Sequence, residues 1–138
     1  MTEHQLFEIS QSVIIKNKDG NILILRHSTS GKWLLPGGRI NAREDWHTAL
    51  NREIQEETGM DFKINGILDV DSFSDGDKFS YVVVFVGETD DTNVVLSTEH
   101  DEYMWISNQS DSEKYDFWHP DIAKRIKMFF TQTPHKRF

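Results

Sequence analysis

Hydrophobic period switches three times along this chain, from short β-rich runs to a helical stretch, back to strands and then to a closing helix, and this order confines the fold to a few arrangements. Residues 12–16 and 22–26 are two β-rich runs joined by Asn17-Lys18-Asp19-Gly20-Asn21, which carries the Asp-Gly turn signal of a hairpin. A second hairpin is expected later: Phe62, Ile64, Leu68, Val70 and Ser72 alternate with mostly polar neighbours, and Asp75-Gly76 then turns the chain into a continuous strand, Phe79 to Val86. Between the hairpins lies Gly31-Lys32-Trp33-Leu34-Leu35-Pro36-Gly37-Gly38-Arg39, a loop that needs special backbone geometry, followed by a helical stretch that runs to Thr58. Asp45 is the preferred N-cap of that helix, Asn41 with Glu44 is a capping-box-like alternative, and Gly59 suits the residue after its end. Beyond a polar segment at 87–98, residues 102–107 read as a last short strand. A terminal helix then starts with Pro120 in its first position and has Ile122, Ile126 and Phe129 or Phe130 on one apolar face. Two strand pairs, a central helix and a closing helix predict an α/β fold with a mixed sheet between helices.

A chain of 138 residues is the size of one ordinary domain, and residues 1–138 are read as one. Its 37% hydrophobic and 12% aromatic residues suffice for a core. The longest apolar runs, Val13 to Ile15, Ile22 to Leu25 and Tyr81 to Val86, are far below the roughly 20 residues that cross a bilayer. No basic segment followed by an apolar one opens the sequence, so a cytoplasmic protein with no membrane association is expected. The absence of cysteine excludes disulfides, thiolate metal sites and a cysteine nucleophile. A net charge of −8 argues against polymeric nucleic acid, whose binding draws on Lys and Arg neutralising phosphates. A small phosphorylated ligand remains open, because bound cations invert the electrostatics of an acidic site.

The helix between the hairpins carries an anomaly. At roughly 100° per residue, Trp46, Ala49, Leu50 and Ile54 share an arc of about 140° that should face the core. Glu53 and Glu57 fall inside this arc and Glu56 lies at its edge, roughly 20° beyond Ala49. Like charges at these spacings cost about 0.2–0.5 kcal/mol per pair. The helix end disfavours anions by a further ~0.3–1 kcal/mol each. An ionised carboxylate facing a dry core is costlier still unless it is paired or metal-bound. A bound divalent cation answers all three; neutralisation by Lys and Arg, or simple solvation of the helix end, are the alternatives. Arg52 flanks the cluster, where its fork could hold Glu44 or another carboxylate.

The pattern formed by Gly38, five residues, Glu44, seven residues, Arg52-Glu53-Ile54, one residue, Glu56-Glu57, one residue and Gly59-Met60 resembles the Nudix box at every specified position. Average residue usage makes a chance match on the order of 10⁻⁹ to 10⁻¹⁰ per register. Met60 stands where Ile, Leu or Val is commoner. The segments Gly31 to Gly38 and Glu99-His100-Asp101-Glu102-Tyr103-Met104-Trp105 also resemble Nudix segments in the expected order.

This resemblance implies an α/β/α sandwich and Mg²⁺-dependent hydrolysis of a diphosphate linkage in a nucleoside diphosphate derivative or nucleoside triphosphate, by water attack at phosphorus. It implies Glu53, Glu56 and Glu57 as ligands of Mg²⁺, or of Mn²⁺ in its place, with the carbonyl of Gly37 or Gly38 and Glu102 as further oxygens. Such an ion would activate water and hold the attacking and leaving oxygens in line. Glu53 is the first candidate for the base, and Glu99, His100 and Glu102 are the local alternatives. Arg52 and Glu57 complete the catalytic set, supported by Gly38, Glu44 and Gly59. Outside the box, Arg26, Trp33, Phe79 and Tyr81 are candidates for substrate contact because cations grip phosphates and aromatic faces stack on bases, though each could equally be structural. Trp105 and the Phe117-Trp118 pair are weighed in the same way. The expected partner is a small nucleotide-like diphosphate, and a homodimer is left open. The rivals are a GDP-mannose-type sugar nucleotide glycosyl hydrolase, suggested by the Glu99 to Trp105 segment, and a non-catalytic nucleotide-sensing module, which typically lacks box glutamates.

Overall fold

The computed structural model describes residues 3–132; Met1, Thr2 and residues 133–138, which the expected domain includes, lie outside them. Strands β1 (Glu8–Lys16) and β2 (Ile22–His27) form the first hairpin. Its turn is held by the Asn17 side chain, which accepts from the backbone N–H groups of Asp19 and Asn21 at 3.1 and 3.0 Å. The hairpin pairs β1 with β2 at Lys16 and Ile22 and then opens. Into the gap comes the loop that precedes the central helix. There β3 (Trp33–Leu34) pairs with β2, the Pro36 carbonyl accepts from Val13 N–H at 3.0 Å, and β4 (Gly37–Arg39) lies antiparallel to Ser10–Ser12 of β1. The sequence signalled this segment as an irregular loop; the structure adds two short strands, because the opened hairpin offers backbone partners on both sides.

The second hairpin, β5 (Lys63–Asp75) and β6 (Lys78–Glu88), turns at Gly76 as expected. β6 runs parallel to β1 from Glu8–Ser80 to Lys16–Glu88, and β7 (His100–Ile106) pairs antiparallel with β2. The main path of the sheet is β3-β2-β1-β6-β5, with β4 on β1 and β7 on β2, so one parallel pair makes the sheet mixed. The last strand starts two residues before the expected 102, since a bulge at Arg26–His27 lets β2 reach His100.

Side-chain alternation in β1 sends Val13 and Ile15 to one face and Ile14 to the other, and each face is covered by one helix. Helix α1 (Trp46–Thr58) places Leu50 and Ile54 against Val13, Ile15 and Met60. Helix α2 (Pro120–Thr131) places Ile126 against Ile14, Ile24 and Val84, with Ile122 and both Phe129 and Phe130 packed around it. This is the α/β/α sandwich. Asp45 caps α1 by accepting from Thr48 N–H at 2.8 Å, and Gly59 ends it at φ 67°. The Asn41–Glu44 pair forms a separate turn just upstream, with Glu44 accepting from Asn41 N–H at 3.1 Å. Trp46 departs from its expected core position: it is 48% exposed, with one ring face stacked on Phe85 at 5.2 Å. Among the described residues no helix is long and apolar enough to cross a membrane.

Candidate active site

The inward side of α1 delivers its three glutamates to three different depths. Glu57 is 4% exposed, Glu53 is half-buried and Glu56 is exposed. The Glu57 carboxylate accepts from Gly37 N–H at 2.9 Å, and the other charges acting on it are Glu53, Glu99 and Glu56, all negative. Burial therefore pushes its pKa up to about 8, against the opposing pull of the Gly37 N–H. Burial also raises Glu53, while the adjoining Arg52 opposes the rise.

Arg52 decides how much of this charge is neutralised. Its Nε and Nη2 donate to the two oxygens of Glu44 at 2.7 and 2.9 Å, a fork that holds Glu44 below the usual carboxylate range. Its Nη1 donates to one oxygen each of Glu53 and Glu56, at 3.0 and 3.3 Å. One guanidinium thus spans three carboxylates and does not reach Glu57. The cluster stays negative, and each of its three helix glutamates keeps an oxygen that Arg52 does not engage.

The glycines before the helix are required by close approach. A Cβ on Gly37 would collide with the backbone of Gln11 and Ser12 in β1. A Cβ on Gly38 would sit 2.6 Å from both carboxylate oxygens of Glu53. The β4 backbone is therefore pressed between the sheet and the carboxylates, within reach of whatever they bind.

Strand β7 adds a second group from the opposite side. Donor atoms of Glu57, Glu99 and His100 lie within 4.8 Å of one another. His100 is buried at 4% exposure and its Nδ1 has no hydrogen-bond partner; burial lowers the pKa of this ring and favours neutral imidazole. The residues fit a divalent cation on three grounds: a buried carboxylate without counter-charge, a backbone that only glycine can bring against Glu53, and an orphaned imidazole nitrogen beside them.

A cavity of about 470 Å³ opens from Gly37, Gly38, Glu57, Glu99 and His100. Its far end is aromatic. Trp118 is 54% exposed and meets His27 edge-on at 5.1 Å, and Phe73 lies against His119 at 6.4 Å. Trp118 thus lines the pocket, while its neighbour Phe117 packs on the core beneath α2.

The four residues expected to contact substrate lie elsewhere. Trp33 is buried against Tyr115 in the α2-side core, and Arg26 is committed to Asp101 at 2.7 Å. Phe79 and Tyr81 both pack edge-on against Phe7, at 5.9 Å. None of them lines the cavity. Glu102 is exposed, opposite Arg26 in the β2–β7 ladder, and is not among the residues whose donor atoms converge with Glu57; strand alternation alone would put it on the same face as His100, but the register shifts between them, with Asp101 as the extra residue of β7. His27 and Phe73 had no signal in the sequence, since only strand pairing brings β2 and β5 residues to one opening.

A model of the NUDIX domain matches residues 6–126. The chain belongs to the NUDIX domain family. The crystal structure of a MutT protein from Methanosarcina mazei superposes with a TM-score of 0.76 at 29% identity, covering 95% of this chain and all of that one. A MutT-like protein of Streptomyces ambofaciens is 32% identical over 69 residues, 50% of this chain and 45% of that protein. An ADP-ribose pyrophosphatase of Methanocaldococcus jannaschii is 36% identical over 75 residues, 52% of this chain and 44% of that protein. The match therefore spans less than half the length of either of these relatives. In this NUDIX chain the box residue Met60 is fully buried beside Leu50 and Ile54, filling the place of the commoner aliphatic.

Proposed function

We propose that this chain hydrolyses a diphosphate linkage in a small nucleotide-like substrate, with Glu53, Glu56 and Glu57 holding Mg²⁺, or Mn²⁺ in its place. The observation that carries this reading is the Glu57 carboxylate, buried without a counter-charge where a glycine backbone meets the mouth of an aromatic cavity. When bound, the ion supplies Lewis acidity to water and positive charge to the diphosphate oxygens. The protein's own residues do the remainder. Glu53, its pKa raised by burial, accepts the proton of the attacking water. Arg52 fixes Glu53 and Glu44 in place, and the Gly37-Gly38 backbone lets the phosphates approach the carboxylates closely. Trp118 and Phe73 receive the flat organic part of the substrate, which puts the scissile linkage at the acidic end of the cavity. The names of two relatives, an ADP-ribose pyrophosphatase and an RNA pyrophosphohydrolase, support the same bond type.

Glu53→Gln and Glu57→Gln should each lower turnover by orders of magnitude while the protein still melts cooperatively. Substrate is found by screening nucleoside triphosphates, sugar nucleotides and dinucleoside polyphosphates with Mg²⁺ in ¹⁸O-labelled water. Label on a phosphate product supports attack at phosphorus. Label on a released sugar identifies the glycosyl hydrolase instead, and wild-type turnover in both variants removes the assignment.

A further inference from the structure

Among the described residues Arg125 is the only buried arginine, at 9% exposure, yet its one hydrogen bond runs from Nε to Asp69 at 3.4 Å. Arg26 and Arg52 reach their carboxylates at 2.7 Å. A guanidinium carries five N–H donors. The four on Nη1 and Nη2 of Arg125 meet no acceptor among the described residues, and neither nitrogen is sealed from solvent. A buried charged group left short of partners is costlier than a neutral one. Arg125 lines the cavity in the second turn of α2, so its open fork is available to a ligand that enters there.

One turn earlier on the same face of α2, Asp121 also lines the cavity. The His119 Nδ1 accepts from Asp121 N–H at 3.1 Å, so it has no proton to give the Asp121 carboxylate 3.5 Å away, and that carboxylate remains an acceptor. Asp69 and Asp121 together outweigh the one guanidinium, which makes this end of the cavity unfavourable for a phosphate. A neutral ring that offers acceptors to the fork and an N–H to the carboxylate satisfies both. Guanine is such a ring: O6 and N7 are adjacent acceptors matched to an arginine fork, and its N–H donors lie on the neighbouring edge. Adenine carries an amino group where the fork needs an acceptor, which sets donor against donor.

We propose that Arg125 is a specificity-determining residue that selects a 6-oxopurine base, its Nη fork donating to O6 and N7 while Asp121 accepts from a base N–H. The substrate of this site is then a guanine-type nucleotide. This inference deepens the proposed function and rests on its placement of the flat organic group at the aromatic end of the cavity.

The test is titration of the full chain with GMP, 7-deaza-GMP and AMP in the presence of Mg²⁺, read by NMR; these monophosphates have no diphosphate linkage to cut. GMP should bind about 10–100-fold tighter than AMP, with 7-deaza-GMP between them because it keeps O6 and loses N7. Arg125→Lys keeps a cation for Asp69 but has no fork, and should bring GMP affinity down to that of AMP without moving AMP itself. A merely structural role would weaken both ligands alike. Because Arg125 is buried, Asp121→Asn at a half-exposed position is the second variant, and should lower the same preference with the melting temperature kept. Equal affinity of the wild type for GMP and AMP, or a preference that survives Arg125→Lys, overturns the assignment. If no monophosphate binds while a diphosphate is still hydrolysed, this inference fails and the proposed function stands; if neither binding nor hydrolysis occurs, both fail.

Discussion

In the metal-free protein Glu57 should act as a built-in destabiliser whose strength grows with pH. Its folded pKa is about 8 against an ordinary 4.5, so the folded chain holds a proton that the unfolded chain has released. Below pH 4.5 both states are protonated and the residue is neutral in effect. As pH rises, folding must retain that proton, and stability falls until the folded carboxylate itself ionises near pH 8; beyond that the loss is constant. Each pH unit in this window is worth about 1.4 kcal/mol, so the cost is on the order of 3 kcal/mol at pH 7 and somewhat larger above pH 8. For a chain of this size, that corresponds to a melting shift on the order of 10 °C. The assay is thermal melting in EDTA from pH 5 to 9 for wild type and Glu57→Gln, taking the difference so that other titrating groups cancel. Glutamine retains an oxygen for Gly37 N–H and cannot ionise, so the variant should gain on the wild type steadily up to about pH 8. Added Mg²⁺ should reverse this, stabilising the wild type most at high pH, where ionised Glu57 finds a counter-charge. Parallel curves for the two proteins in EDTA would show that the carboxylate is solvated after all, and the electrostatic case for a cation would go with it.

The two adjacent glycines should fail differently. Gly37→Ala drives a methyl into the β1 backbone and should lower the melting temperature, whereas Gly38→Ala meets only the movable end of Glu53 and should keep the fold while Mg²⁺ affinity falls about 10–100-fold, read by calorimetry. Arg52→Lys replaces a fork spanning Glu44, Glu53 and Glu56 with one ammonium; metal affinity should drop by about the same 10–100-fold, and equal affinity would show that Arg52 does not position the ligands. Trp118→Ala, at a half-exposed position, should raise KM by a factor equivalent to about 1–3 kcal/mol of stacking with kcat and melting temperature nearly unchanged. A fall in kcat at constant KM would place the organic group elsewhere.

What could be read from the sequence follows from the range of the signals. The cap at Asp45, the stop at Gly59 and the burial of Glu57 are all set within one helix, where 100° per residue fixes which side chains share a face. The partner of Arg52 stayed open between Glu44 and another carboxylate, because Glu44 precedes α1 and reaches the guanidinium from the separate turn at Asn41. Trp46 lies on the core side of the wheel yet is half-exposed, because a wheel gives direction and not which end of the helix solvent reaches. Strand residues were harder. Trp33, Phe79 and Tyr81 have the right chemistry for substrate, but their positions depend on pairing between distant segments, which turned Trp33 into core and set the other two against Phe7. Composition gave a residue's capability, and topology alone gave its neighbours.

The same distinction explains why the acidic end of the cavity draws its carboxylates and its imidazole from both kinds of element. A helix spaces carboxylates at fixed steps, so residues 53, 56 and 57 can be gathered by local geometry before any tertiary contact forms. That gathering is unfavourable by itself, since like charges crowd a helix end that already repels anions. The opened first hairpin changes the balance: by admitting the segment from Trp33 to Arg39 between β1 and β2, it brings Gly37 N–H to Glu57 and the Gly38 backbone to Glu53. It leaves β2 free to pair β7 on its other edge, which carries Glu99 and His100 to the same point. One irregularity in strand pairing therefore positions the backbone, the helix carboxylates and the imidazole together. Closing that gap with a regular hairpin would preserve every carboxylate of α1 and still remove the site.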